Sequence, residues 1–114
     1  SLRISLFIEP NQFAIKKAKL LNADCIEIHT GRFCNLVNKN KGFKKELKRI
    51  QKAVLLGNKI GLEVHAGHGL TYQSAKLLSK IKGIKEFNIG HFLIGESIFV
   101  GFYQCIKLFK KIIR

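Results

Sequence analysis

Four histidines, His29, His65, His68 and His91, and one carboxylate, Glu27, are the residues whose types and positions could do chemistry in this chain. Near neutral pH an imidazole can give or take a proton, and several around one mouth would suit acid-base work. Each histidine falls at or just after the end of a short apolar run that reads as a β-strand. CIEIH ends in His29, GLEVH ends in His65 and leads into AGHG with His68, and EFNI precedes Gly90-His91. In a parallel α/β sheet the carboxyl ends of the strands, and the loops beyond them, form the ligand-binding face. The structural alternative for any one of these histidines is a satisfied strand-end residue. No HxH or HExxH spacing occurs and acidic residues near the His-rich turns are few, so no metal ligands and no cofactor are assigned.

Glu27 alternates with Ile26 and Ile28 inside an apolar strand, where an unpaired charge is costly to bury. In an open sheet covered by helices on both faces it is hard to place, except as a buried ion pair with a lysine. In a barrel it can face the interior and meet a substrate. Glu63 sits similarly in the third strand and can equally mark a solvated strand end. Gly90-His91 and Gly95 precede the last helix, where backbone N–H groups can receive a phosphate; the plain alternative is a left-handed turn into a helix.

The elements that must position these residues follow from periodicity. Leu2 to Ile8 predicts a first strand, ended by Glu9-Pro10. Asn11 caps a helix over 12–21, and Asn22 tolerates the left-handed turn that stops it. Asp24 to His29 is the second strand, with Cys25, Glu27 and His29 on one face. Thr30 to Gly42 reads as a long polar connection, before a helix marked by Phe43, Leu47, Ile50 and Val54 that Gly57 or Asn58 ends. Gly61 to His65 is the third strand, Thr71 to Ile81 a third helix, Glu86 to Ile89 the fourth strand, and Ser97 to Ile113 the last helix. Four β-α units in succession call for a parallel sheet with helical crossovers. At about 28 residues each, they match half of an eight-unit barrel; a complete four-stranded doubly wound domain is the alternative.

Composition narrows the function classes. The 114 residues carry 21 Lys plus Arg against 7 Asp plus Glu, a net charge of +14, yet 46% are apolar, which excludes a disordered tail. The charge is mostly Lys on faces that helices would turn to water, and no zinc-finger, helix-turn-helix or RNA-recognition motif occurs, so no nucleic-acid partner is expected. No apolar run approaches the roughly 18 residues of a membrane span, and Ser1-Leu2-Arg3 leads straight into strand-like residues rather than a signal peptide. No membrane partner is expected, and the chain reads as a cytoplasmic protein. Three cysteines at unrelated spacings, with no CxxC, fit a reducing compartment and argue against a structural zinc site. The absence of Met, together with a strand-like start, reads as a piece of something longer.

Taken together, RISLFIEP, CIEIHTG, VHAGHGLTY and FNIGHFLIG resemble the carboxyl-terminal half of the pyridoxine 5'-phosphate synthase family, over nearly the whole chain and in the family's order. The resemblance implies an α/β fold, a parallel (βα)4 half of a TIM (β/α)8 barrel. It implies condensation of 3-amino-2-oxopropyl phosphate with 1-deoxy-D-xylulose 5-phosphate, releasing phosphate and water. By the same resemblance His68 matches the family's proton donor, Glu27 its transition-state-stabilising carboxylate, and Gly69, Gly90 and His91 its aminoketone phosphate-binding positions. The expected partners are then two phosphorylated small molecules, the amino-terminal half of the barrel, which supplies two proton acceptors, and further copies in a homo-oligomer. His65 departs from the family, which usually has Asn there. The competing readings are a degenerate basic binding module and an inactive gene remnant.

Overall fold

The computed structural model describes residues 2–90 and 101–113. Its elements run β1 (Ser5–Ile8), α1 (Gln12–Leu20), β2 (Cys25–His29), α2 (Gly31–Asn38), α3 (Lys44–Lys59), β3 (Glu63–Gly67), α4 (Tyr72–Leu78), β4 (Ile84–Asn88) and α5 (Phe102–Ile113). The four strands form one parallel sheet in the order β1-β2-β3-β4. Each unit therefore steps the same way as the last, which is how a (β/α)8 barrel is built. A doubly wound sheet instead reverses direction at a switch point. The fold is a parallel (βα)4 half-barrel.

Helices cover one face of this sheet. Ile26 and Ile28 of β2 and Val64 of β3 are fully buried there, against Ile15 and Ala18 of α1, Phe33 and Val37 of α2, and Ile50 and Val54 of α3. Tyr72 and Ala75 of α4 pack in turn against Phe109 of α5. Local signals agree with these boundaries. Asn11 Oδ1 accepts a hydrogen bond from the Ala14 N–H at 2.7 Å, and Asn22, at φ 61°, turns the chain out of α1. Thr71 and Ser74 form a reciprocal capping box at the start of α4.

Several elements differ from the sequence-based expectation. The connection after β2 holds a helix, α2, because Phe33, Cys34 and Val37 share a buried face that the surrounding Asn and Lys residues obscure. The helix α3 continues through Gly57, which is buried against the sheet, to Lys59. Strand β3 begins and ends two residues later than expected, since Gly61 is a left-handed turn and pairing with β2 extends to Gly67. Strand β4 begins earlier, at Ile84 opposite Val64; its register then slips, so that His65 faces Glu86 and Lys85 has no opposite residue. The expected start of the last helix, Ser97, lies outside the described residues. Among the described residues no helix is long and apolar enough to cross a membrane.

The packing predicts a large cost for hollowing the buried face. Ile26→Ala should destabilise the chain by about 2–5 kcal/mol, because the helices packed on that face can only partly close the void; urea unfolding followed by circular dichroism measures it.

Candidate functional site

The sheet face away from the helices is polar. Residues Phe7, Glu27, His65 and Glu86 lie side by side across it in register, with His29, Gly67 and Asn88 forming the next row toward the carboxyl ends of the strands. Glu27 is half-buried there, with no lysine paired to it among the described residues; instead, Asn88 Nδ2–H donates to Glu27 Oε1 at 2.5 Å. Gly67 makes this arrangement possible, because a Cβ at that position would collide with the other carboxylate oxygen, Glu27 Oε2.

Beyond β3 the chain turns sharply through His68 at φ 84° and Gly69 at φ 80°. A histidine in that region is strained, so something must hold it. Thr30 does so from the end of β2. Its N–H donates to Gly67 O at 2.8 Å, and its hydroxyl is shared between Gly67 O at 2.7 Å and His68 O at 2.9 Å. The His68 ring stacks on His29, with ring centroids 4.4 Å apart and planes 27° from parallel, and Phe7 packs on His29 at 5.0 Å. The Gly31 N–H donates to His29 Nδ1 at 3.0 Å, so the neutral His29 ring carries its proton on Nε2. A side chain at Gly31 would collide with both rings. Behind them Glu9 Oε2 lies 3.8 Å from His29 Nδ1, and Arg49 joins Glu9 to the buried Glu46. Cys34, nearby beneath Gly69, has its thiol pushed up by burial and stays neutral.

These groups surround an open cleft of 710 Å³, whose walls include Phe7, Glu27, His68, Gly69, Asn88 and Gly90. Four residues singled out in the sequence, Glu27, His68, Gly69 and Gly90, thus meet around one cavity at the carboxyl ends of the strands. The fifth, His91, lies outside the described residues. His29 stands behind His68 as its stacking partner. His65 is placed differently from expectation: it lies within β3, not at its end, in the same row as Glu27. There His65 Nε2–H donates to Glu63 Oε2 at 2.6 Å, with Arg3 at 3.3 Å from the same oxygen. Glu63, the first residue of β3 and partly exposed, is thus a paired carboxylate at a strand end. Thr30 and Asn88 were not singled out by sequence reasoning. Their signal was adjacency alone, one to His29 and the other to the GH turn after β4.

Such an arrangement sets an imidazole and a carboxylate on the walls of one cleft. The imidazole of His68 faces the cavity on a constrained turn, and Glu27 offers negative charge to any cationic centre bound opposite it.

Comparison with known proteins agrees in one direction. A family model described as "Pyridoxal phosphate biosynthesis protein PdxJ" matches residues 1–114. A pyridoxine 5'-phosphate synthase from Pelagibacter ubique is 56% identical over 112 residues, covering 98% of this chain and 47% of the relative. The enzyme of the same name from Zymomonas mobilis is 50% identical over 106 residues, covering 93% and 41%, and that from a Sulfurihydrogenibium species is 46% identical over 112 residues, covering 98% and 45%. The chain spans about half the length of the curated relatives it matches.

Two outcomes follow from the geometry. Thr30→Val removes the hydroxyl that holds the His68 turn, and should cost about 1–3 kcal/mol in urea unfolding while speeding hydrogen exchange at the His68 amide. The Glu63 carboxyl is held below its usual range by the His65 hydrogen bond and then by Arg3, against the opposing effect of burial. Its contribution to stability is full above the ordinary carboxylate range and is lost as pH falls through the lowered value. The fall in melting temperature from about pH 7 to about pH 3 should accordingly be smaller in Glu63→Gln than in the unaltered chain.

Proposed function

Since this chain belongs to the PdxJ family of pyridoxal phosphate biosynthesis proteins, we propose that residues 1–114 act as the carboxyl-terminal half-barrel of a pyridoxine 5'-phosphate synthase. The reaction is the condensation of 3-amino-2-oxopropyl phosphate with 1-deoxy-D-xylulose 5-phosphate to pyridoxine 5'-phosphate, with release of phosphate and water. The observation that carries this reading is the meeting of Glu27, His68, Gly69 and Gly90 around one cleft at the mouth of the sheet.

In this reading His68 is the proton donor. Its ring is held by stacking and its backbone by Thr30, so it is oriented before a substrate arrives, and it can protonate an oxygen that leaves. Glu27, fixed by Asn88, stabilises cationic, imine-like charge as it develops. Gly69, Gly90 and His91 receive the aminoketone phosphate, the glycines letting it approach the backbone N–H groups closely. Both substrates are anions, and the chain's charge of +14 favours their capture.

The reading also assigns a partner. Strands β1 and β4 are the outer strands of the described sheet, each with one side unpaired. Four further β-α units, supplying the proton acceptors and closing the cylinder, would cover both edges, and the closed barrels would assemble as a homo-oligomer.

The test is complementation. The chain is mixed with the amino-terminal half of the Pelagibacter ubique relative, and formation of pyridoxine 5'-phosphate is measured from both substrates. The expected result is no turnover by the chain alone, turnover by the mixture, and a loss of about 10² or more in kcat when His68→Ala replaces the unaltered chain. An unchanged kcat in that variant removes His68 from the proton-donor role, and turnover by the chain alone refutes the need for a second half.

A further inference from the structure

Toward the amino-terminal ends of β2 and β3, beside and below Glu27, three side chains of different chemistry converge. Cys25 and Glu63 are register partners, and His65 lies two residues beyond Glu63 on the same face. One ligand-capable atom from each, the Cys25 sulfur, a Glu63 carboxylate oxygen and a His65 ring nitrogen, all lie within 4.8 Å of one another. Cys25 and His65 are only 4% and 8% exposed, and Cys25 is a free thiol. We propose that Cys25, Glu63 and His65 form a binding site for a divalent metal ion of the zinc class.

The donor set selects the ion. Thiolate, imidazole and carboxylate together suit Zn²⁺ or Co²⁺, whereas Mg²⁺ and Ca²⁺ prefer oxygen ligands alone. Around a tetrahedral ion, bonded at about 2.0–2.3 Å, neighbouring ligand atoms stand roughly 3.3–3.8 Å apart. The present spacings need adjust by only about an ångström to reach that: Glu63 Oε2 and His65 Nε2, now hydrogen-bonded at 2.6 Å, move apart as the ion enters between them. Glu86 Oε2 lies 4.0 Å from the same ring nitrogen, outside the three-residue group, and can swing in as the fourth ligand.

Charge and protons balance. Entry of the ion releases the proton of the Cys25 thiol, and the neutral His65 ring moves its proton from Nε2 to Nδ1 so that Nε2 can ligate. A thiolate and two carboxylates carry three negative charges against two on the ion, and the remaining one is met by Arg3, which already lies beside Glu63. The ion would tie the beginnings of β2 and β3 together beneath Glu27, whose register partner is His65. This inference does not depend on the proposed synthase reaction, because its test reads metal binding in the chain as it stands.

The probe is Co²⁺, titrated into the reduced, metal-free chain. A thiolate-to-cobalt charge-transfer band in the near ultraviolet is expected, abolished by one equivalent of Zn²⁺ and unaffected by excess Mg²⁺. Cys25→Ser should remove the band, and His65→Asn should weaken Zn²⁺ binding at least tenfold, while Cys34→Ser leaves both unchanged. Zn²⁺ should also protect Cys25 from alkylation in the unaltered chain, as read by mass spectrometry, which requires no variant to fold. Absence of the band in the unaltered chain, its persistence in Cys25→Ser, or alkylation of Cys25 at the same rate with and without Zn²⁺ overturns the proposal.

Discussion

A parallel strand usually has helices on both sides or an interior on one, and a carboxylate in its middle is tolerable only in the second case. Glu27 sits under that constraint. Its neighbours Ile26 and Ile28 take the whole burden of the helical face, and every charged residue of β2, β3 and β4 that points inward falls on the other. The sheet is thus sorted into a dry side and a polar side, and the polar side is itself layered. Glu63 lies one row below, paired with His65 and Arg3, and Glu27 stands beside His65 in the row above it with Asn88 as its donor. Glu27 is left with a single neutral hydrogen-bond donor from a described side chain, and its carboxylate faces whatever enters the cleft.

Strain and restraint are set against each other at the neighbouring turn. His68 adopts a backbone conformation that few non-glycine residues hold, and the structure supplies a hydroxyl, a backbone amide and an aromatic stack to keep it there. All three restraints come from the segment His29-Thr30-Gly31, which ends β2 and starts α2. One short tripeptide therefore both closes its own strand and orients the imidazole of the next unit. The coupling of adjacent units through their loops, and not through the strands alone, is what lets a repeated β-α scaffold hold a group to a fixed geometry.

The four parallel strands, the inward-facing parity of Glu27 and the placing of His29 and His68 at or just after strand ends are legible from residue spacing, because each depends on a local pattern. What escaped depended on residues far apart in the chain. The helix α2 was hidden in a run of Asn and Lys, since Phe33, Cys34 and Val37 count as a face only once the sheet beneath them exists. Strand β3 reaches Gly67 because it pairs there with His29 and Asn88, both far from it in the chain. His65 reads as a strand-end histidine until the strand is seen to run on past it. The grouping of Cys25 with Glu63 and His65 is likewise a matter of register between two strands, for which no linear motif exists.

The slip between β3 and β4 has a consequence for aim. Side chains alternate along a strand, so were Lys85 paired in regular register the residues on the helical side would be Ile84, Glu86 and Asn88, and Phe87 would point inward. Counting one residue out of step reverses that parity after Ile84. Phe87 joins the apolar packing, and Asn88 swings to where it can reach Glu27. A single unpaired lysine on the outermost strand thus acts as a phase shifter, converting a sequence that begins in the rhythm of the core into one that ends in the rhythm of the cavity.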